Sequence, residues 1–140
     1  MPSATSNPTV MHPDNAAQQK QLVESYIEAY NSFDVAGMLQ PLHEEVVFRN
    51  VTNGETDLTL TGKESFRQQA EQALQYFSQR EQRVTDWQFS ADKVEVRLDY
   101  SAVAAIDFPN GLKAGDPLQL QGKSVFEFAD GQITSITDIS

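Results

Sequence analysis

The residues best suited to chemistry in this chain are two phenols and a carboxylate. Tyr26 and Tyr30 stand four apart in "SYIEAYN", so in a helix both project from one side. That side also carries Leu22, Val23, Ile27 and Phe33, which makes it the face that should be buried. An inward phenol can donate a hydrogen bond to a ligand, or can serve as core with its hydroxyl on a backbone carbonyl or water. The carboxylate is Asp138, in the closing segment "QITSITDI". Its direction depends on the turn before it. A two-residue turn at Asp130-Gly131 sends Ile133, Ser135, Thr137 and Ile139 inward. A three-residue turn with Gly131 as a bulge sends Thr134, Ile136 and Asp138 inward instead, because a one-residue slip exchanges the faces. Ala-Asp-Gly favours the bulge, since it suits a type I turn followed by a left-handed glycine. Asp138 then lies across from Gly122 and near Ser124, in an apolar setting that raises its pKa. The competing reading is a solvated aspartate on a fraying strand.

Other chemistries find little support. His12 falls in a polar N-terminal stretch and His43 before a strand, neither with a neighbouring ligand pattern. No HExxH or other metal-ligand spacing occurs, so no metal and no cofactor is expected. The glycines are scattered, which gives neither a phosphate loop nor a dinucleotide fingerprint, and no GxSxG elbow is present. There is no cysteine, which removes disulfides, thiolate ligands and thiol nucleophiles. The formal net charge is −10, with only ten Lys and Arg. Such a field repels phosphate backbones and anionic lipid, so neither nucleic acid nor a membrane is an expected partner. No stretch approaches the roughly 18 apolar residues of a membrane span, and the N-terminus lacks the pattern of a signal peptide. The expectation is a cytoplasmic protein.

The elements that must position these residues follow from periodicity. Residues 1–14 read as a flexible polar tail and 15–140 as one domain. Asp14 or Asn15 caps a helix running to about Ser32. Asp34 caps a short second helix, "VAGMLQ", which Pro41 ends. Val46 to Val51 reads as a strand, and "TDLTL" as a second. Thr61 and Glu64 have capping-box spacing for a third helix to about Ser78. From Arg80 the period changes to two, and "RVTDWQFSA", "KVEVRLDYSAVAAI", "PLQLQGKSVFEF" and "QITSITDI" read as four consecutive strands. Alternation points Leu98 and Tyr100 inward with Ser124 and Phe126, and puts Phe48 on one face with Asn50. The fold class is α+β, with helices segregated against a mostly antiparallel sheet.

Three segments carry a resemblance to a known family. "YIEAYNSFDVAGMLQPLHEEVVFRN", "GKESF" and "GKSVFEFADGQITSITD" resemble the opening, the third helix and the closing hairpin of the nuclear-transport-factor-like superfamily. That superfamily includes ketosteroid isomerases, SnoaL-like polyketide cyclases and scytalone dehydratase. The likeness spans about residues 18–140. It implies a cone: a curved sheet wrapped around about three helices, with an apolar pocket inside. The tyrosines of the first helix then reach into a pocket.

Residue by residue, the resemblance places Tyr26 where ketosteroid isomerases hold an oxyanion donor. Their base position falls on Asn50, whose amide cannot accept a proton, and their second donor position on Ser124. Isomerase chemistry by that route is therefore disfavoured. Epoxide hydrolases of the superfamily need an Asp–Arg–Asp set, whereas Arg97 and Asp99 point to the outer face. SnoaL-like cyclases use an acidic residue on the sheet as acid–base, which Asp138 resembles. The expected catalytic pair is thus Tyr26 as donor and Asp138 as acid–base. The expected ligand wall is Tyr30, Phe48, Asn50, Phe66, Trp87, Leu98, Tyr100, Ser124 and Phe126, around a small, largely apolar ligand. Members commonly pair sheets back to back, which implies a homodimer through the outer face. A non-catalytic dimeric binding or scaffold module is the alternative.

Overall fold

Apolar residues at helical spacing give α1, Pro13–Asn31, a face that buries Val23, Tyr26, Ile27 and Ala29. The computed structural model describes residues 13–140. Most of the expected tail, with His12, lies outside the described residues. Asp14 and Asn15 are already helical, so neither caps the helix. Asp34 does cap α2, Val35–Leu39, its carboxylate accepting from the Gly37 N–H at 3.0 Å.

The rest of the order is β1 (Leu42–Thr52), β2 (Glu55–Thr61), α3 (Lys63–Ala73), β3 (Phe77–Phe89), β4 (Lys93–Ala104), β5 (Pro117–Ala129) and β6 (Gln132–Ile139). The six strands form one mixed sheet in the order β2-β1-β6-β5-β4-β3. All neighbours are antiparallel except β1 and β6, which run parallel. The architecture is α+β, with three helices packed on one face of an open sheet. The core between them centres on Val23, Leu42, Val46, Val94, Val96, Phe126, Ile133 and Ile136, all almost fully buried.

Three sequence expectations need correction. The capping box does not form: Thr61 ends β2, Gly62 at φ 93° precedes the helix without a side-chain cap, and Glu64 pairs with Arg67. α3 stops at Ala73, five residues before Ser78. Phe77 instead opens β3, stacking on Phe108 and meeting Tyr100 edge-on. Aromatic packing against β4 and the loop after it here outweighs helical periodicity.

The third correction concerns the last hairpin. Asp130 (φ 55°) and Gly131 (φ 72°) form the two-residue turn, with Ala129 opposite Gln132, the pattern of a type I′ turn. A bulge comes later, where Glu127 pairs Ser135 but Phe128 pairs Ile133. Thr134 is the extra residue, so it is not part of the inward row. The bulge turns the strand over, which lets both Ile133 and Ile136 be buried. From there on, Asp138 faces the helices.

Candidate functional site

Three adjacent strands align a polar row across the inner face. Asn50 on β1 is opposite Asp138 on β6, and Asp138 is opposite Ser124 on β5. Ser124 is 2 % exposed, and its hydroxyl donates to Asp138 Oδ1 at 2.6 Å. Burial pushes the Asp138 carboxyl up to about 6, against the lowering effect of that hydrogen bond. Asp138 as a residue is half-buried, and it borders a cleft of about 210 Å³.

The next rows of the sheet complete the cleft. Gly122 faces Leu98, and Leu120 faces Tyr100. A Cβ on Gly122 would stand 2.8 Å from the Ile139 carbonyl oxygen, so glycine is what lets the end of β6 lie this close. Tyr30 reaches in from α1, and its hydroxyl lies 2.9 Å from that of Tyr100. Burial raises the pKa of both phenols; their mutual bond lowers that of Tyr30 and raises that of Tyr100. The cleft thus has a carboxyl end and a phenol end, with Leu98, Leu120 and Ile139 supplying apolar surface.

Behind the phenol end lies Arg80. It is 6 % exposed, with its guanidinium 3.8 Å above the Tyr30 ring and 4.5 Å from the Phe33 ring. Its Nε donates to the Tyr30 carbonyl at 2.8 Å. Asn31 fixes the same junction, because its amide both accepts from the Gln82 N–H at 2.8 Å and donates to the Gln82 carbonyl at 3.1 Å.

Of the residues named from sequence, Asp138, Tyr30, Asn50, Leu98, Tyr100 and Ser124 border this cleft. Tyr26 does not. It is 4 % exposed, packed against Phe66 and Phe126 at 6.2 and 5.9 Å between ring centroids. Its pKa is raised well above the ordinary value, first by burial and then by the nearby Asp138. Phe48 packs edge-on against Phe66, so these aromatics fill the inside of the expected cone. Trp87 stacks on Phe89 beneath Lys20, and it packs against the core. The cleft is therefore smaller than the expected cone. The sequence reading missed Arg80 and Gln82, because it began the third strand at Arg83. It also missed Leu120 as a wall residue, although Leu120 falls on the same face of β5 as Ser124 and Phe126.

Larger hollows of about 410, 390 and 360 Å³ lie along the outer face, beside Glu81, Arg83, Asp99, Arg97 and Gln119. Asp99 is occupied there by Arg83 at 2.8 Å. Among the described residues no three His, Asp or Glu side chains gather to hold a metal ion, and no helix is long and apolar enough to cross a membrane.

The fold is that of several solved structures. A proposed polyketide cyclase from Xanthomonas campestris pv. campestris is 23% identical, with a TM-score of 0.76 over 90% of this chain and 92% of its own. An epoxide hydrolase from M. tuberculosis is 16% identical, with a TM-score of 0.70 over 88% and 82%. A hypothetical protein from Catenulispora acidiphila with a ketosteroid isomerase-like fold, in complex with trimethylamine, is 14% identical, with a TM-score of 0.68 over 84% and 83%. At such identities the likeness is one of fold. No curated protein matches the chain. The model of the SnoaL-like domain matches residues 23–136, and the chain belongs to that family.

Proposed function

We propose that this chain binds a small, largely apolar molecule in the inner cleft and moves a proton on it with Asp138. The observation that carries this reading is Asp138 itself: a carboxyl raised to about 6 in the wall of a cleft, held by Ser124 and beside Asn50. A base poised near neutrality suits proton abstraction, because it is ionised at working pH yet still basic. A cleft of about 210 Å³ has room for about one substituted ring, since a cavity of roughly 150 Å³ holds benzene.

The step is a proton transfer. The Asp138 carboxylate takes a proton from a carbon next to a carbonyl, and the C–H electron pair moves into an enolate. The enolate oxygen is held by the phenol end, and Asp138 returns its proton to the same or another atom. Tyr100 takes the donor role that the resemblance implied for Tyr26, because Tyr26 lies in the core. Asn50 Nδ2 donates to Asp57 at 2.9 Å and to Thr52 Oγ1 at 3.5 Å, which leaves the Asn50 side-chain oxygen to face a ligand. We propose further that two copies pair through the outer face, which carries cross-strand pairs of opposite charge, Arg83–Asp99 beside a hollow and Lys123–Glu95.

The test is deuterium exchange in D₂O at carbons next to the carbonyl of single-ring ketones, followed by NMR. The reading expects exchange faster than in buffer alone, rising with pH through about 6 and lost in Asp138→Asn. Ketones that bind without exchange move the reading to a non-catalytic binding module. Sedimentation of the wild type and Arg97→Glu checks the pairing: a wild-type monomer removes it.

A further inference from the structure

Arg80 is a buried cation whose known contacts include no carboxylate. Among the described residues it makes no ion pair, and its Nη2 is buried without a hydrogen-bond partner. Leaving a charge in that state is costly, and such groups are ordinarily paired. What the structure supplies instead is two aromatic faces and one backbone carbonyl. The nearer face belongs to Tyr30, whose hydroxyl meets that of Tyr100 in the cleft.

We propose that Arg80 polarises Tyr30 so that the Tyr30–Tyr100 pair forms a directed relay, making this end of the cleft the seat of an electron-rich ligand oxygen such as an enolate or phenolate. This rests on the reading of the inner cleft as a small-molecule site, and it adds a positioning residue outside that cleft's wall. The argument is electrostatic. A cation over the ring stabilises the phenolate more than the phenol, which makes the Tyr30 hydroxyl the stronger donor of the pair. Tyr30 then donates to Tyr100, and the Tyr100 proton is left for the ligand. The groups that face this pair are Arg80 from β3 and Tyr26 and Asp138, from α1 and β6. With Arg80 behind one end and Asp138 at the other, the cleft is polar along its length. A carbonyl compound is thereby oriented with its oxygen at the tyrosines and its acidic carbon towards Asp138.

The probe is 4-nitrophenol, whose absorbance separates phenol from phenolate. Its ionisation midpoint when bound is measured in the wild type, Arg80→Gln and Arg80→Lys. Gln removes the charge but keeps a donor for the Tyr30 carbonyl; Lys keeps the charge. The expected result is a bound midpoint raised in Arg80→Gln by about one pH unit, a roughly tenfold loss of phenolate preference, with Arg80→Lys close to wild type. Asp138 contributes alike to all three proteins. Equal midpoints in Gln and wild type overturn the proposal, as does a Lys variant displaced as far as Gln. Should Arg80→Gln fail to fold, Tyr100→Phe replaces it, since it removes the outlet of the relay and leaves Arg80 packed; an unchanged midpoint there also overturns it. Failure of the wild type to bind the probe counts against the cleft as a binding site. The relay is then judged from the tyrosine ¹³Cζ signals of the free protein. Shifts at both Tyr30 and Tyr100 in Arg80→Gln, reversed in Arg80→Lys, support it, and shifts at Tyr30 alone overturn it.

Discussion

Asp138→Asn should stabilise this protein at neutral pH and do so less in mild acid. The substitution keeps size and shape, and an amide oxygen can still accept from Ser124, so what it removes is the titration. The Asp138 carboxyl has a folded pKa of about 6 against an ordinary value of 3.8. A raised folded value means that the native state holds the proton more tightly than the unfolded chain does. The stability this confers is fully present below about pH 3.8 and lost as pH rises through about 6. Relative to the neutral carboxyl, the wild type is therefore weakened by about 2 kcal/mol at about pH 5 and about 3 kcal/mol at about pH 7.5, where the loss levels off. Urea unfolding of both proteins at several pH values between these limits reads the difference directly, and every other group cancels. The Asn variant should gain about 1 kcal/mol on the wild type across that window. A gap that stays constant with pH would falsify the buried, raised carboxyl and with it the poised base.

Further perturbations probe the same architecture. Ser124→Ala removes the hydrogen bond that lowers the Asp138 pKa, so the midpoint should move above about 6; NMR titration of the side-chain carboxyl carbon checks it, and a fall refutes the assignment. Asn31→Ala strips two hydrogen bonds from the Gln82 backbone and should cost about 1–3 kcal/mol in urea unfolding, whereas a neutral result means water replaces the amide. Gly122→Ala sets a methyl 2.8 Å from the Ile139 carbonyl. It should cost about 1–3 kcal/mol and shift the amide signals of Asp138 and Ile139, and an unperturbed β6 argues against the close approach.

The fold was legible because alternation along β4 and β5 is nearly unbroken, and because Asp34 stands where a cap is needed. The wall of the cleft was legible wherever such alternation held, as for Leu98, Tyr100 and Ser124. Two features escaped for physical reasons. Phe77 fits a helical face as well as a strand, and only its partners Phe108 and Tyr100, distant in sequence, decide for the strand. With that boundary misplaced, Arg80 had no assigned face. The bulge at Thr134 has no local signal, since Ile133 and Ile136 fit inward positions only in registers that exclude each other. Whether the interior is hollow or filled was illegible too. Tyr26, Phe48, Phe66 and Phe126 share an inward direction with true wall residues, and only their packing shows that they fill the space.

The parallel pairing of β6 with β1 has a consequence for how the chain assembles. β6 sits between β1 and β5, yet it is the last of the described strands to be synthesised. Until it arrives, the β1–β2 hairpin and the β3–β4–β5 meander are two separate sheets, each with an open edge. Contacts between residues about ninety positions apart, such as Leu42 with Ile133, must then close at once. Such distant pairing is slow, and exposed strand edges invite association with other chains in the meantime. The strand that carries Asp138 is therefore also the one that seals the sheet, and a nascent chain is most vulnerable to aggregation just before it acquires its carboxyl.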